Sequence, residues 1–178
     1  GVSEIGQNAF GYCDSLKSVE VSSENTVYED DGGILFTKGM ETLLLYPAGI
    51  EESEYNIAAG VKSVGDFAFA YAAMLSKGTM TADVGSVGSG AFYGCSSLLT
   101  VTLSGTLKYI SANAFANCTS LVSITIPQGV KSIGFKDGDQ EFGGSFSGCT
   151  AFTPEQAAAV AGKIAFLYWD DDDATRAC

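Results

Sequence analysis

The sequence predicts an α/β solenoid wound in 23-residue units. Each unit supplies a short parallel strand and a short helical turn, and a β-hairpin insertion and a C-terminal cap helix complete the chain. Three observations predict it. The phenylalanines of an Ala-Phe-x-x-Cys motif recur at a fixed step: Phe69, Phe92 and Phe115 lie 23 residues apart (92 − 69 and 115 − 92). The aliphatic residue ahead of each keeps the same step, at Val64, Val87, Ile110 and Ile133. A Leu-x-x-Ile-x-Ile segment, with Val or Leu in places, follows the motifs at Phe10, Phe92 and Phe115, and its alternation is that of a strand with one buried face. A unit this short cannot bury its own apolar side, so it must stack on its neighbours.

The units can be followed in order. The first carries Val2, Ile5, Ala9, Phe10, Cys13, Leu16, Val19 and Val21. Between it and the next lies a longer stretch, because Phe69 follows Phe10 by 59 residues (69 − 10). The extra residues fall within 22–60. There Ile34-Leu35-Phe36 and Leu43-Leu44-Leu45-Tyr46 flank a Gly-containing link, the pattern of a β-hairpin, and Pro47 and Gly49 end the second strand. This stretch reads as an irregular repeat that continues the stack. The unit beginning at Val61 has Val64, Ala68 and Phe69 in place, but Ala72 stands where cysteine is expected and Gly78 where an aliphatic residue is expected. Two full units follow, Val84 to Leu103 through Phe92 and Cys95, and Leu107 to Pro127 through Phe115 and Cys118. The last has Val130, Ile133, Phe146, Cys149 and Phe152. Its phenylalanine comes 31 residues after Phe115 (146 − 115), so about eight residues, near Phe135–Phe142, are inserted.

After residue 152 the pattern changes. Thr153-Pro154-Glu155-Gln156 is a helix start, with Thr as N-cap, Pro in the first turn and Gln at the third position. An alanine-rich run follows, and Gly162 is expected to end the helix. Phe166, Leu167, Tyr168 and Trp169 are expected to cover the open end of the stack, ahead of an acidic tail at Asp170–Asp173. The organisation is thus a solenoid over 1–152 and a helical cap with tail over 153–178, in one domain.

The predicted core is a ladder of Phe10, Phe69, Phe92, Phe115 and Phe146, with Cys13, Cys95, Cys118 and Cys149 beside it. Neighbouring ladder cysteines would be near enough for disulfides. Stacked side chains point the same way, however, which makes the bond torsion awkward, and no CxxC suggests a metal site. Small, reduced core residues are the favoured reading. Cys178, in the tail, is the cysteine expected to react.

Composition excludes several functions. Nine Lys and Arg against 21 Asp and Glu give a net charge of −12, which repels phosphate backbones and anionic headgroups, so neither nucleic acid nor a membrane surface is an expected partner. There is no histidine, which removes His-dependent catalysis, metal ligation and pH switching. The start of the chain has no basic region and no apolar core of a secretory signal, and it opens inside a motif, so upstream repeats are expected. The uncharged runs Val84–Leu107 and Tyr109–Val130 are too rich in Gly, Ser, Thr and Asn to be membrane spans. Asp137-Gly138-Asp139-Gln140-Glu141 has carboxylates at alternate positions, but Phe142 and Gly148 stand where a calcium loop needs Gly and Glu. Gly85–Gly90 lacks the lysine of a phosphate loop, and the sequon Asn117-Cys118-Thr119 includes a core cysteine. No cofactor is expected.

At Val2-Ser3-Glu4-Ile5-Gly6-Gln7-Asn8-Ala9-Phe10-Gly11-Tyr12-Cys13, and again from Leu107 to Pro127, the chain resembles the BspA-like leucine-rich repeats of bacterial surface proteins. Asp31-Gly32 and Tyr46-Pro47 match a hairpin that this family often carries. The resemblance covers positions 2–152. It implies a right-handed, curved solenoid. It further implies an adhesin or other binding protein at the cell surface or secreted, with no catalytic residues to carry over. The polar residues of the strand segments are expected to align as Ser18, Lys77, Thr100 and Ser123, and as Glu20, Thr79, Thr102 and Thr125. The resulting Ser/Thr-lined wall is the expected recognition face, with Glu20, Thr79, Thr100, Thr102, Ser123 and Thr125 contacting an extracellular protein or glycoprotein. Two other readings compete. One is a structural spacer in a larger surface protein. The other is a glycan-acting enzyme, which would need two carboxylates in a cleft.

Overall fold

The computed structural model describes residues 1–6, 8–80, 83–134 and 144–169, with side chains to 163. The inserted residues near 135–142, the carboxylates at 137–141, the tail aspartates and Cys178 lie outside the described residues. So do the side chains of Phe166–Trp169.

Eleven strands are described: β1 (Tyr28–Asp31), β2 (Ile34–Thr37), β3 (Thr42–Leu45), β4 (Glu54–Asn56), β5 (Ser63–Val64), β6 (Lys77–Thr79), β7 (Ser86–Val87), β8 (Thr100–Thr102), β9 (Tyr109–Ile110), β10 (Ser123–Ile124) and β11 (Ser132–Ile133). One helix, α1 (Pro154–Trp169), follows. The strands form two sheets, one ordered β1-β2-β3-β5-β7-β9-β11 and the other β10-β8-β6-β4. Each regular unit therefore gives two strands, not the single one expected. The Leu-x-x-Ile-x-Ile segments build the four-stranded sheet, in register at 23 residues (Lys77 with Thr100, Thr100 with Ser123). The aliphatic pair ahead of the turn builds the other (Val64 with Val87, Val87 with Ile110). Strands of two residues are too short to show alternation in a sequence.

The Ala-Phe-x-x-Cys segments close the third wall, and they are not helical. Asn8 and Tyr12, Phe67 and Tyr71, and Asn113 and Asn117 all have positive φ, and Gly90 and Gly94 hold the same two places in the intervening unit. Two left-handed residues four apart cannot lie in an α-helix. The wall consists instead of tight turns such as Ala70 N–H to the Phe67 carbonyl at 3.0 Å and Ala72 N–H to Phe69 at 3.1 Å. It too is a ladder: Phe69, Phe92 and Phe115 donate their N–H groups to Ala91, Ala114 and Ser145 of the next turn.

Inside, the rings of Phe69, Phe92, Phe115 and Phe146 stack with centroids 4.6, 5.1 and 5.4 Å apart and planes within 7° of parallel. At the hairpin end the next ring is Tyr46, 5.0 Å from Phe69, and not Phe10. The Tyr46 N–H bonds the Ala68 carbonyl, so Tyr46 holds the phenylalanine place of the irregular repeat. The Tyr46 hydroxyl is buried with no hydrogen-bond partner among the described residues. Burial pushes its phenol up to about 12, and that of Tyr55 likewise. Tyr55 sits beside Gly78 in the parallel register. Its large ring packs on Tyr46 and Phe69 next to the small residue that Gly78 puts at the aliphatic position.

The hairpin is β2 with β3. The structure adds β1 on its outer side and joins β3 to β5 in parallel, so the insertion belongs to the repeat sheet. Its apolar runs do not alternate because both faces are covered. Ile34 and Phe36 belong to the main core. Leu35, 1 % exposed, faces the first repeat instead. That repeat lies outside the main core. Phe10, Ile5 and Leu16 are half-buried and Cys13 is exposed, which corrects the placement of Phe10 and Cys13 in the ladder. It is anchored by Gly49 N–H to the Leu16 carbonyl, Val19 N–H to the Gly33 carbonyl, and an ion pair between Lys17 and Glu51.

At the other end α1 starts as expected, with Gln156 N–H donating to Thr153 Oγ1 at 3.2 Å. The Gln156 side chain does not return to the cap residue. Its Oε1 accepts from the Ile124 N–H, an edge donor of the four-stranded sheet, at 3.3 Å. Val160 is buried against the stack. The helix runs through Gly162 to Trp169, so Gly162 does not end it.

Candidate functional site

The four-stranded sheet presents two outward rows. Glu54, Lys77, Thr100 and Ser123 form one; Asn56, Thr79 and Thr102 form the other, which Thr125 extends just past β10. The residues between the rows, Gly78, Val101 and Ile124, point inward and are buried. Glu20 and Ser18 are not in these rows. The first repeat turns away to pair Val19 with Gly33, and β4 takes the register position that Ser18 and Glu20 were expected to fill. Of the six predicted contact residues, five lie on one face and Glu20 does not join them.

Two further residues belong to this surface. Leu99 and Val122 are 48 % and 42 % exposed, and the Val122 N–H bonds the Leu99 carbonyl at 3.2 Å, so they lie side by side next to Thr100 and Ser123. They add a small apolar border to the polar wall. The signal was present in the sequence as an apolar residue at a variable position of Leu-x-x-Ile. A shallow groove of about 380 Å³ runs between Thr100–Leu103 and Ser123–Thr125. Residues 84–134 contain no Asp or Glu and only Lys108 and Lys131, so this part of the wall is nearly uncharged although the chain is strongly acidic. At the β4 end Glu54 pairs with Lys77 at 3.3 Å, an exposed ion pair of small energetic weight.

The ladder cysteines have a structural task. Cys95, Cys118 and Cys149 donate their thiol protons to the carbonyls of Phe69, Phe92 and Phe115 at 3.0–3.1 Å. Each thiol thus adds a second donor to a carbonyl one turn back, which already accepts an N–H from its own turn. Interaction with Cys95 together with burial pushes the Cys118 thiol up, and burial pushes Cys149 up to about 12, so neither is poised as a nucleophile. Cys13, Cys95, Cys118 and Cys149 are all free thiols. A glycan-cleaving site would need two carboxylates available as acid and base. The cleft near the N-terminal end has Asp14 and Asp66 in its lining, but Asp66 Oδ1 accepts the Ser89 N–H at 2.7 Å and so holds the next repeat in place.

The comparisons with known proteins agree with this geometry. The profile described as BspA type Leucine rich repeat region matches residues 1–31 and 50–139, in six copies. Among solved structures, the pneumococcal vaccine antigen PcpA is similar at 27 % identity and a TM-score of 0.70, over 72 % of this chain and 32 % of that one. A leucine rich cell surface protein from Faecalibacterium prausnitzii A2-165 is 28 % identical with a TM-score of 0.62, over 89 % of this chain and 48 % of that one. A leucine-rich repeat protein from Bacteroides capillosus ATCC 29799 is 29 % identical with a TM-score of 0.58, over 69 % and 94 %. The chain spans about a third of the first of these and about half of the second. No curated protein matches it. Among the described residues, no helix is long and apolar enough to cross a membrane.

Proposed function

Because the chain belongs to the BspA-type leucine-rich-repeat family, we propose that it is a cell-surface or secreted binding module that recognises a protein or glycoprotein ligand through the face of the β4-β6-β8-β10 sheet. The observation that carries this reading is the register. It sets Thr100 beside Ser123 and Thr79 beside Thr102 on an accessible, nearly uncharged wall bordered by Leu99 and Val122. Short hydroxyl side chains on a rigid sheet lose little entropy when ordered by a partner, and the exposed apolar pair adds area to bury. The names of the similar proteins, a cell surface protein and a vaccine antigen, support the location.

The test is surface-plasmon binding of the folded chain to matrix proteins, plasma proteins and glycans. Thr102→Arg, at an exposed site in mid-wall, is the blocking variant. Saturable binding that falls at least tenfold in the variant supports the face. Absence of binding from a folded sample favours a spacer role.

A further inference from the structure

The first repeat packs incompletely against the hairpin and leaves a cleft of about 380 Å³. It is separate from the strand face, none of whose residues lines it. Its walls come from the Asn8–Asp14 turn, from β2 and β3, and from the Asp66–Tyr71 turn. Leu35 is buried at its base, and Tyr12, 76 % exposed, stands at its mouth.

Two features distinguish this cleft from ordinary loose packing. The first is backbone conformation. Asn8, Tyr12, Phe67 and Tyr71 all line it and all have positive φ, at 55°, 60°, 56° and 62°. Three of them are aromatic, a residue type for which this region is an outlier. The same two places in the following repeats hold Gly90 and Gly94, then Asn113 and Asn117, so the turn itself does not require rings. Bulky residues held in such conformations cluster at ligand clamps. The rings are also braced. A Cβ on Gly90 would meet the Phe67 ring at 2.5 Å, one on Gly94 would meet the Tyr71 ring at 2.9 Å, and the Tyr12 and Tyr71 rings lie 5.4 Å apart. The glycines of the next turn thus make room for rings fixed along the cleft wall.

The second feature is charge. Asp14 and Asp66 line the cleft, and among the described residues no lysine or arginine does. The surrounding residues 1–83 carry thirteen carboxylates against four lysines. Aromatic faces and carboxylates with no competing cation select a positively charged group. A guanidinium fits best, since it stacks flat on rings and is more weakly hydrated than an ammonium, while its aliphatic stem suits an apolar base such as that of Leu35, Leu44 and Leu45.

We propose that this cleft is a second binding site, one that takes an arginine side chain presented by a polypeptide partner, with the guanidinium held on the Tyr12, Phe67 and Tyr71 rings. The site does not rest on the strand-face reading. The test is an NMR titration of the full chain, following the aromatic signals of Tyr12, Phe67 and Tyr71. The probes are N-acetyl-arginine methylamide, its uncharged norleucine counterpart, and N-acetylglucosamine. Saturable shifts are expected with the arginine probe, weakening as salt is raised. Affinity is expected to fall at least tenfold in Tyr71→Gly, whose glycine suits the local φ, and at least threefold in the exposed Asp14→Asn. Thr102→Arg is expected to leave the arginine shifts unchanged, which separates this site from the strand face. Shifts no larger than those from norleucine overturn the proposal. So do shifts from the sugar alone, and so does a folded Tyr71→Gly or Asp14→Asn that binds arginine like the unaltered chain.

Discussion

The first repeat and the repeat from Val84 to Leu103 carry the same motif and meet different fates. Val2, Ile5, Ala9, Phe10, Cys13 and Leu16 match Val84, Val87, Ala91, Phe92, Cys95 and Leu98 residue for residue in spacing. Yet Phe92 is 1 % exposed between Phe69 and Phe115, while Phe10 is half-buried and stacks on no ladder ring. The difference lies in the neighbours. Phe92 has a unit in register on each side. Phe10 faces a hairpin whose inner side has already given Ile34 and Phe36 to the main core, and whose ladder place is taken by Tyr46. A repeat motif states what a unit can bury. The adjoining unit decides whether it is buried.

Deleting the two rings separates the fates of the two repeats. Phe115→Ala should cost about 3–5 kcal/mol, as truncation inside a close-packed stack does. Phe10→Ala should cost less, about 1–2 kcal/mol, since Phe10 is only partly buried and lies outside the main core. Urea unfolding measures both, and equal losses would put Phe10 in the ladder. The cysteines repeat the contrast on a smaller scale. Cys118→Ala removes a buried thiol and one of the two hydrogen bonds to the Phe92 carbonyl, and should cost about 1 kcal/mol. Cys13→Ala should fall within about 0.5 kcal/mol of zero. Alkylation at pH 8, mapped by mass spectrometry, should modify Cys13 in the folded chain and Cys95 and Cys118 only on unfolding.

Tyr46 is a ladder ring with a buried hydroxyl that has no hydrogen-bond partner among the described residues. Tyr46→Phe should stabilise the chain by about 1 kcal/mol, and a loss of stability would reveal a partner for the hydroxyl. The same burial predicts an alkaline response. Tyr46 and Tyr55 are raised from the ordinary 10 to about 12 in the folded chain. Above pH 10 the unfolded chain therefore loses these protons first. Stability should be insensitive to them below pH 10 and should fall as pH rises from 10 to 12, less steeply in Tyr46→Phe. Thr153→Ala, at the cap of the helix that closes the far end, should cost about 0.5–1 kcal/mol. Its effect should appear as faster amide exchange in α1 and at Ile124, whose N–H the helix holds through Gln156.

Much of this was legible in the sequence. The 23-residue step located the ladder from Phe69 to Phe115, the Phe-x-x-Cys motif located Phe146, and turn and cap residues located the hairpin at Ile34–Phe36 and Leu43–Tyr46 and the helix start at Thr153. The second strand of each regular unit was hidden because it is two residues long. The left-handed turns were legible in the pairs Gly90/Gly94 and Asn113/Asn117, yet a four-residue spacing reads equally as helix, and the aromatic residues at Phe67 and Tyr71 mask the pattern. Gly162 costs a helix only about 1 kcal/mol, too little to end one that is docked on a sheet. Of the strand-face residues, Thr79, Thr100, Thr102, Ser123 and Thr125 were placed by the repeat alone. Glu20 was misplaced because the same arithmetic was carried across an insertion.

That the chain stacks, with what period, and which side chains turn inward in the regular units all follow from apolar spacing within each unit. Which unit adjoins which was settled by packing across the insertion, that is, by the tertiary structure. It seated Tyr46 where Phe10 was expected, brought β4 to the edge that Ser18 and Glu20 were expected to form, and left an aromatic cleft at the one junction where the hairpin displaces a repeat. The physical reason is that stacking energy belongs to pairs of units, and an insertion changes the partner without changing either motif.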